Sequence, residues 1–453
     1  MLNDNLKENC ELIENKLSKY HLDQFEIYGL TTSQVSVQLK KGSIKDFTEY
    51  YDSGVGIRVI KDKRIGFAFS SSFDMSKVEK LINRVIKFTR VGVPDLDFQK
   101  LPSPKKYPEL TNLIDPKIVN LTPEAVINYL ERMVSAANVN NKIYSISGEF
   151  TSDIYHEVIL NSNGVNRETE HSEIDIFCNV TTKDMGNTGS SFDFQSVRFL
   201  KEIEPERIGE NAANLALRSL NSKKLKTSSM PVIFHPIASS TILGSGIGTA
   251  ISAEQIQYQQ SYLIDKLNEK LFTMDIFIED NGIYIKENNI PGVGSSNFDA
   301  EGFPTQKTII FESGVLKNYI HNSYTANKEK VANTGNASRF GYKSTPTISI
   351  TNLVFHPGND GELNDLIDET KEGIVLYYTG DTPNIITGDL SAMIHTGFYI
   401  KDGEPIYGIK NTMIGINMID FFKNIDMVGS KIESLARIHI PPFRVSNVRI
   451  SGN

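Results

Sequence analysis

Gly292-Val-Gly-Ser-Ser-Asn-Phe-Asp-Ala-Glu-Gly-Phe-Pro-Thr305, then Phe311-Glu-Ser-Gly-Val-Leu-Lys-Asn-Tyr-Ile-His-Asn-Ser-Tyr-Thr-Ala326, then Asn333-Thr-Gly-Asn-Ala-Ser-Arg339 is the stretch on which the fold turns. Thr308–Phe311 and Val315–Ile320 are short apolar runs, and they predict a hairpin joined at Glu312-Ser313-Gly314. The loops on either side are rich in Gly, Asn, Ser and Thr. Such loops are expected at the surface, shaped by backbone geometry rather than by a core. A second block of this kind follows at Thr387-Gly388-Asp389-Leu390-Ser391 and Gly397–Pro405. From about residue 223 onward the pattern is one of strands and turns, interrupted by a helix expected over 236–252 and a short one near 415–422.

The first half alternates differently. Leu6, Leu12, Ile13 and Leu17 fall at helical spacing over residues 5–18. From Phe25 to Ser70 the period is two. Val55–Ile60 and Ile65–Phe69 form strands around a turn at Lys61-Asp62-Lys63, as in an antiparallel sheet. Phe73-Asp74-Met75-Ser76 opens a helix with Val78, Leu81, Ile82, Val85 and Ile86 on one side. A Pro-rich connection (about 94–121) ends at Thr122-Pro123, a cap followed by a first-turn proline. Strand-like runs then continue to Leu200, and a helix over 206–221 buries Ile208, Ala212, Leu215 and Ala216. Helices and strands segregate, so the class is α+β. The expected organisation is an N-terminal α+β domain, 1–222, with an antiparallel sheet and amphipathic helices, and a β-rich C-terminal domain, 223–453.

The 453 residues exceed one ordinary core. With 39% hydrophobic and 23% charged residues, and no apolar run of membrane-spanning length, a soluble protein is expected. The charged N-terminus reads as a helix start, not a signal peptide. Cys10 and Cys178 are the only cysteines, so structural disulfides are not expected and a reducing cytoplasm is. The net charge of −8 argues against direct nucleic-acid contact, and Lys223-Lys224-Leu225-Lys226 reads as a solvated loop.

The two polar blocks, in this order, resemble the signature of the TldD/PmbA family, proteins described as modulators of DNA gyrase and as parts of a peptidase. The resemblance spans nearly the whole chain. In the family's catalytic members, the helix corresponding to 236–252 carries His-Glu-x-x-x-His, in which two histidines bind zinc and the glutamate activates water, with a cysteine ligand near the C-terminus. Aligned by the preceding strand Pro231-Val-Ile-Phe234 and the pair Ile242-Leu243, these positions are Gly244, Ser245 and Thr249. Neither hydroxyls nor glycine replace such ligands, and no cysteine follows Cys178. The resemblance therefore points to the PmbA (TldE) branch, whose members are non-catalytic partners. It implies no cofactor here, with zinc only in a TldD-type catalytic subunit, and either a heterodimer with that subunit or a homodimer around a cavity taking unfolded or extended peptides.

Other chemistry is weaker. Gly244, Gly246 and Gly248 fail the dinucleotide pattern because residue 249 is Thr and because the run lies inside the expected helix. No two of the eight histidines stand at metal-ligand spacing. Asp299 and Glu301, two apart, would share a strand face, yet in a Gly-rich loop short carboxylates bond nearby backbone N–H groups; Asp389 is read the same way. His321, Tyr324 and Arg339 are the remaining candidate cleft-lining residues. Two alternatives stay open: a metallopeptidase with a relocated metal site, and a regulatory binding protein of the gyrase-modulator type.

Overall fold

The computed structural model describes residues 5–452; residues 1–4, part of the charged segment read above as a helix start, and residue 453 lie outside the described residues. The first helix, α1, is Leu6–Leu17. Six strands then build one antiparallel sheet: β1 (Gln24–Lys40), β2 (Ser43–Lys61), β3 (Arg64–Ser70), β4 (Ile143–Asn161), β5 (Asn166–Asp184) and β6 (Asn187–Val197), in the order β3-β2-β1-β4-β5-β6. The β2–β3 turn works because Asp62 and Lys63 both take positive φ, 49° and 59°, the twist a two-residue hairpin needs.

Period-two patterning places Ile27 and Val37 of β1 on one face, opposite Leu160 and Phe150 of β4. All four helices of this half cover that face. Leu6, Ile13 and Leu17 of α1 join Val78, Leu81 and Val85 of α2 (Met75–Val91) over one end of the sheet. Leu130 and Met133 of α3 (Pro123–Ala137) join Ile208 and Ala212 of α4 (Pro205–Arg218) over the other. Thr122 is the cap anticipated, accepting from Ala125 N–H, and Asp74, in the segment expected to open α2, accepts from Ser76 and Lys77 N–H. Gln34, Asp153, Tyr155 and Glu157 share the other face, which no helix of this half covers and part of which packs against loops of the second half. Cys10 and Cys178 are free and buried. No helix among the described residues is long and apolar enough to cross a membrane.

Beyond residue 222, β7 (Ser228–Phe234) lies inside a mixed eight-stranded sheet, between Glu372–Tyr378 and Phe443–Gly452. It leads into α5 (Pro236–Gly246). A further sheet runs β10-β9-β8 and on through Leu353–Phe355, Ile438–Ile440 and Glu433–Leu435, with β8 Ile278–Asn281, β9 Lys307–Glu312 and β10 Val315–Leu316. The core between the two sheets holds Phe234, Ile242, Leu243, Phe272, Phe311 and Phe422, with Phe272 stacked on Phe422 at 4.5 Å.

Four expectations are corrected. The hairpin's second strand is only Val315–Leu316, because Ile320 leaves β9 to donate to the Ile251 carbonyl at 3.0 Å. The helix expected over 236–252 ends at Gly246. Ile247 and Gly248 N–H both turn back to the Leu243 carbonyl, and a Cβ on Gly248 would overlap the Gly244 carbonyl oxygen. The helix near 415–422 begins later, at Met418, with Thr412–Asn417 spent on a strand. The largest departure concerns the polar loops. Ser295, Asp299, Glu301 and Asn336 are buried, not at the surface, and the reason lies in distant partners described next.

Candidate functional site

The helix that would carry a zinc motif starts well. His235 caps α5, its Nδ1 accepting from Ile237 N–H at 3.2 Å, and Pro236 fills the first turn. Burial pushes the His235 imidazole down to about 4, with Asp193 pulling the other way, so it stays neutral and can accept. At the three motif positions the donor set is wrong for zinc. Gly244 offers no side chain, and a Cβ there would touch the Ile438 side chain at 3.5 Å. Ser245 offers a hydroxyl, and Thr249 lies past the end of the helix and is exposed. Gly246 faces Pro383 and Met418, and its carbonyl accepts from the Tyr262 hydroxyl at 2.7 Å. Apolar packing fills this place, and the residues do not fit a zinc ion. Among the described residues, no group of three His, Cys, Asp or Glu side chains is gathered to hold a metal.

The polar loops are built into the interior by charge. Arg58 of β2 donates through Nη2 to Glu26 Oε2 of β1 at 2.7 Å and to Glu301 Oε1 at 3.0 Å. Arg339 also pairs with Glu26, and it donates to the Ala300 and Ser344 carbonyls at 3.0 and 3.1 Å. Glu301 Oε2 accepts from Ser323 N–H at 2.9 Å. Asp299 accepts from Glu301 and Phe303 N–H, both at 2.9 Å, and from Ala337 N–H at 3.1 Å. Glu26 and Glu301 are 1% and 2% exposed. Burial raises the Glu26 carboxyl, but Arg339 and Arg58 outweigh it and hold the group below its ordinary range. Burial, then the Glu301 charge, pushes Asp299 up against its three N–H donors. Arg198, fully buried, donates to the carbonyls of Leu113, Gly292, Val293 and Ser295 at 2.7–3.1 Å. Gly294 must be glycine because a Cβ would overlap the Thr351 carbonyl oxygen.

Of the candidate residues, the structure thus unites Asp299, Glu301 and Arg339. His321 is buried nearby, with Nδ1 unpartnered and Nε2 4.0 Å from Glu329. Tyr324 stands apart and donates to Asp95 of the Pro-rich connection at 3.2 Å. Asp389 is exposed and accepts from Asn417 at 3.0 Å in the other sheet. Sequence reasoning missed Glu26, Arg58 and Arg198. A signal existed for Arg58, which interrupts the apolar run Val55–Ile60.

Two cavities adjoin these elements. One of about 140 Å³ is lined by Asp299, Arg339, Tyr28, Glu157, His171 and Arg437 among others. The larger, about 1150 Å³, lies between Asp193–Val197 of β6, the polar side of α4, His235 and Ile237 of α5, and Glu433–Leu435. Strand β6 closes the first sheet and Glu433–Leu435 closes the sheet that contains β8, β9 and β10, so two sheet edges flank one cleft.

A long antiparallel sheet locked by buried arginines to Gly-rich loops of a β-rich half defines a large two-part α+β protein. The models described as PmbA/TldA metallopeptidase match in order: domain 1 over residues 25–87, the central domain over 116–220 and the C-terminal domain over 227–452. The chain belongs to the PmbA/TldD family. It is 32% identical to an uncharacterised protein of Methanocaldococcus jannaschii, covering 88% of this chain and 89% of the other. It is 26% identical to the metalloprotease PmbA homolog of Buchnera aphidicola, over 97% and 95%. Its fold is similar to that of TldE from Thermococcus kodakarensis, with TM-score 0.87 and 22% identity, covering 98% and 99%.

Proposed function

We propose that this chain is the non-catalytic subunit of a TldD/TldE-type zinc metallopeptidase complex, located in the cytoplasm. In this reading it walls part of a chamber for unfolded or extended peptides, while a TldD-type subunit bears the zinc. One observation carries the reading: the helix that follows β7 offers Gly244, Ser245 and an exposed Thr249 where the resemblance calls for two histidines and a glutamate. The cleft flanked by β6 and Glu433–Leu435 supports the peptide part, because sheet edges bind extended main chains with little regard to side chains.

The test has two readouts. Protein purified without chelators or a histidine tag is expected to hold zinc at background. Mixed with a TldD-type subunit, it should co-sediment and raise that subunit's peptidase rate. Near-stoichiometric zinc surviving dialysis, or chelator-sensitive cleavage by the isolated chain, would replace this reading with that of a metallopeptidase using a relocated site. Failure to bind or stimulate the zinc subunit would end it.

A further inference from the structure

Helix α2 is charged unlike its neighbours. It carries Lys77, Lys80, Arg84, Lys87 and Arg90 against a single acid, Glu79. Helices α1, α3 and α4 each hold at least as many acids as bases, and the whole chain stands at −8. Lys77, Lys80, Arg84, Lys87 and Val91 follow one another at helical spacing. At 3.6 residues per turn they fall within an arc of about 80°, a straight stripe about 21 Å long that points away from the buried Val78, Ile82 and Val85. All five are exposed. Among the described residues no carboxylate pairs with the four cations. Glu79 is taken by Lys16 of α1, and Asp74 by the Ser76 and Lys77 N–H groups.

A cationic stripe alone is an ordinary solvated face. An apolar tip at its end sets this one apart. Phe88, Val91, Val93 and Leu96 are 47%, 77%, 87% and 73% exposed. The β2–β3 turn holds the tip in place, Lys63 Nζ donating to the Leu96 carbonyl at 2.8 Å while the Lys63 carbonyl accepts from Asp95 N–H at 2.8 Å. That turn brings one more cation to the rim of the tip. The acids of the same segment are engaged elsewhere, Asp95 by the Tyr324 hydroxyl at 3.2 Å and Asp97 by Lys328 at 2.7 Å. Exposed apolar side chains beside uncompensated cations suit a boundary where phosphates lie over hydrocarbon, since long basic side chains reach the phosphates while the apolar groups leave water. The phosphates of a nucleic acid would use the cations but leave the four apolar side chains in water.

We infer that the outer side of α2 and the tip that follows it form a peripheral docking surface for an anionic lipid bilayer. The stripe lies on the headgroup phosphates, and Val91, Val93 and Leu96 enter the boundary beneath them. This goes beyond the proposed function and fails separately from it, since a chain that binds no zinc subunit can still bind lipid. Co-sedimentation of the full chain with vesicles tests it, using phosphatidylcholine alone and a phosphatidylcholine–phosphatidylglycerol mixture, at low and high salt. Each variant is checked for native circular dichroism. The wild type should bind the mixed vesicles but not the neutral ones, and high salt should release it. Lys80→Glu with Lys87→Glu should weaken binding about tenfold or more. Lys224→Glu with Lys226→Glu, an equal change of net charge in the loop before β7, should leave it unchanged. Val93→Asn with Leu96→Asn should weaken it without altering the charge. No binding to mixed vesicles, equal binding to neutral ones, or a stripe reversal no more harmful than the loop reversal would each overturn the inference. Duplex DNA held by the wild type and released by the stripe reversal, with vesicles unbound, would make the surface one for nucleic acid and overturn it as well.

Discussion

Replacing Arg58 by Met is expected to destabilise the chain by about 3–5 kcal/mol, because it strips a buried cation from two buried carboxylates. The two are not equally exposed to the loss. Glu26 keeps Arg339, whereas Glu301 keeps only the Ser323 N–H at 2.9 Å. Glu301 is therefore the group left unbalanced. The deficit is a large share of a total stability of about 5–15 kcal/mol. Urea unfolding followed by circular dichroism and tyrosine emission would measure it, the chain having no tryptophan. A second substitution separates charge from packing. A variant that removes the charge of Glu301 as well restores the balance, whereas lost packing would stay lost. Adding Glu301→Gln to Arg58→Met should recover more than half of the loss at neutral pH. A loss under about 1 kcal/mol, or a double variant no better than the single, would refute the ion-lock reasoning.

Two further outcomes follow from the helix after β7. Gly248→Ala should cost about 1–3 kcal/mol in the same urea assay, since the new methyl meets the Gly244 carbonyl; a neutral result would mean the chain can open there freely. His235, held from its ordinary 6.5 down to about 4 by burial, binds its proton more weakly folded than unfolded, so stability should fall as pH drops through that window. His235→Asn keeps a capping acceptor and should remove this part of the acid dependence; an imidazole titrating near 6.5 by NMR would contradict the assignment.

What was legible in the sequence was local. Asp74 and Thr122 cap their helices three residues or fewer from the N–H groups they satisfy, and Asp62-Lys63 close a two-residue turn, so short windows contain both halves of each interaction. Composition placed Asp299, Glu301 and Asn336 at the surface because polar residues without visible partners belong in water. Their partners exist but are far along the chain: Arg58 donates to Glu301 across 243 positions, and Arg339 to Glu26 across 313. No periodicity encodes such pairs. The one trace is an arginine set among the apolar residues of β2, a placement that is costly unless a carboxylate waits for it.

The same reasoning bears on what the Gly-rich block does beside a helix that presents Gly244 and Ser245. If the block existed only to serve a metal beside Gly244, Ser245 and Thr249, whose side chains are poor ligands, then Asp299, Glu301 and Arg339 would have no other partners. Each instead has a structural partner: Asp299 holds three backbone N–H groups, Glu301 neutralises Arg58, and Arg339 neutralises Glu26 and binds two carbonyls. These contacts join the first sheet to the loops of the second half, so substituting any one uncovers a buried charge or backbone group whether or not chemistry occurs nearby. The block is a joint between the two halves of the chain, and a joint is needed by a non-catalytic subunit as much as by a catalytic one.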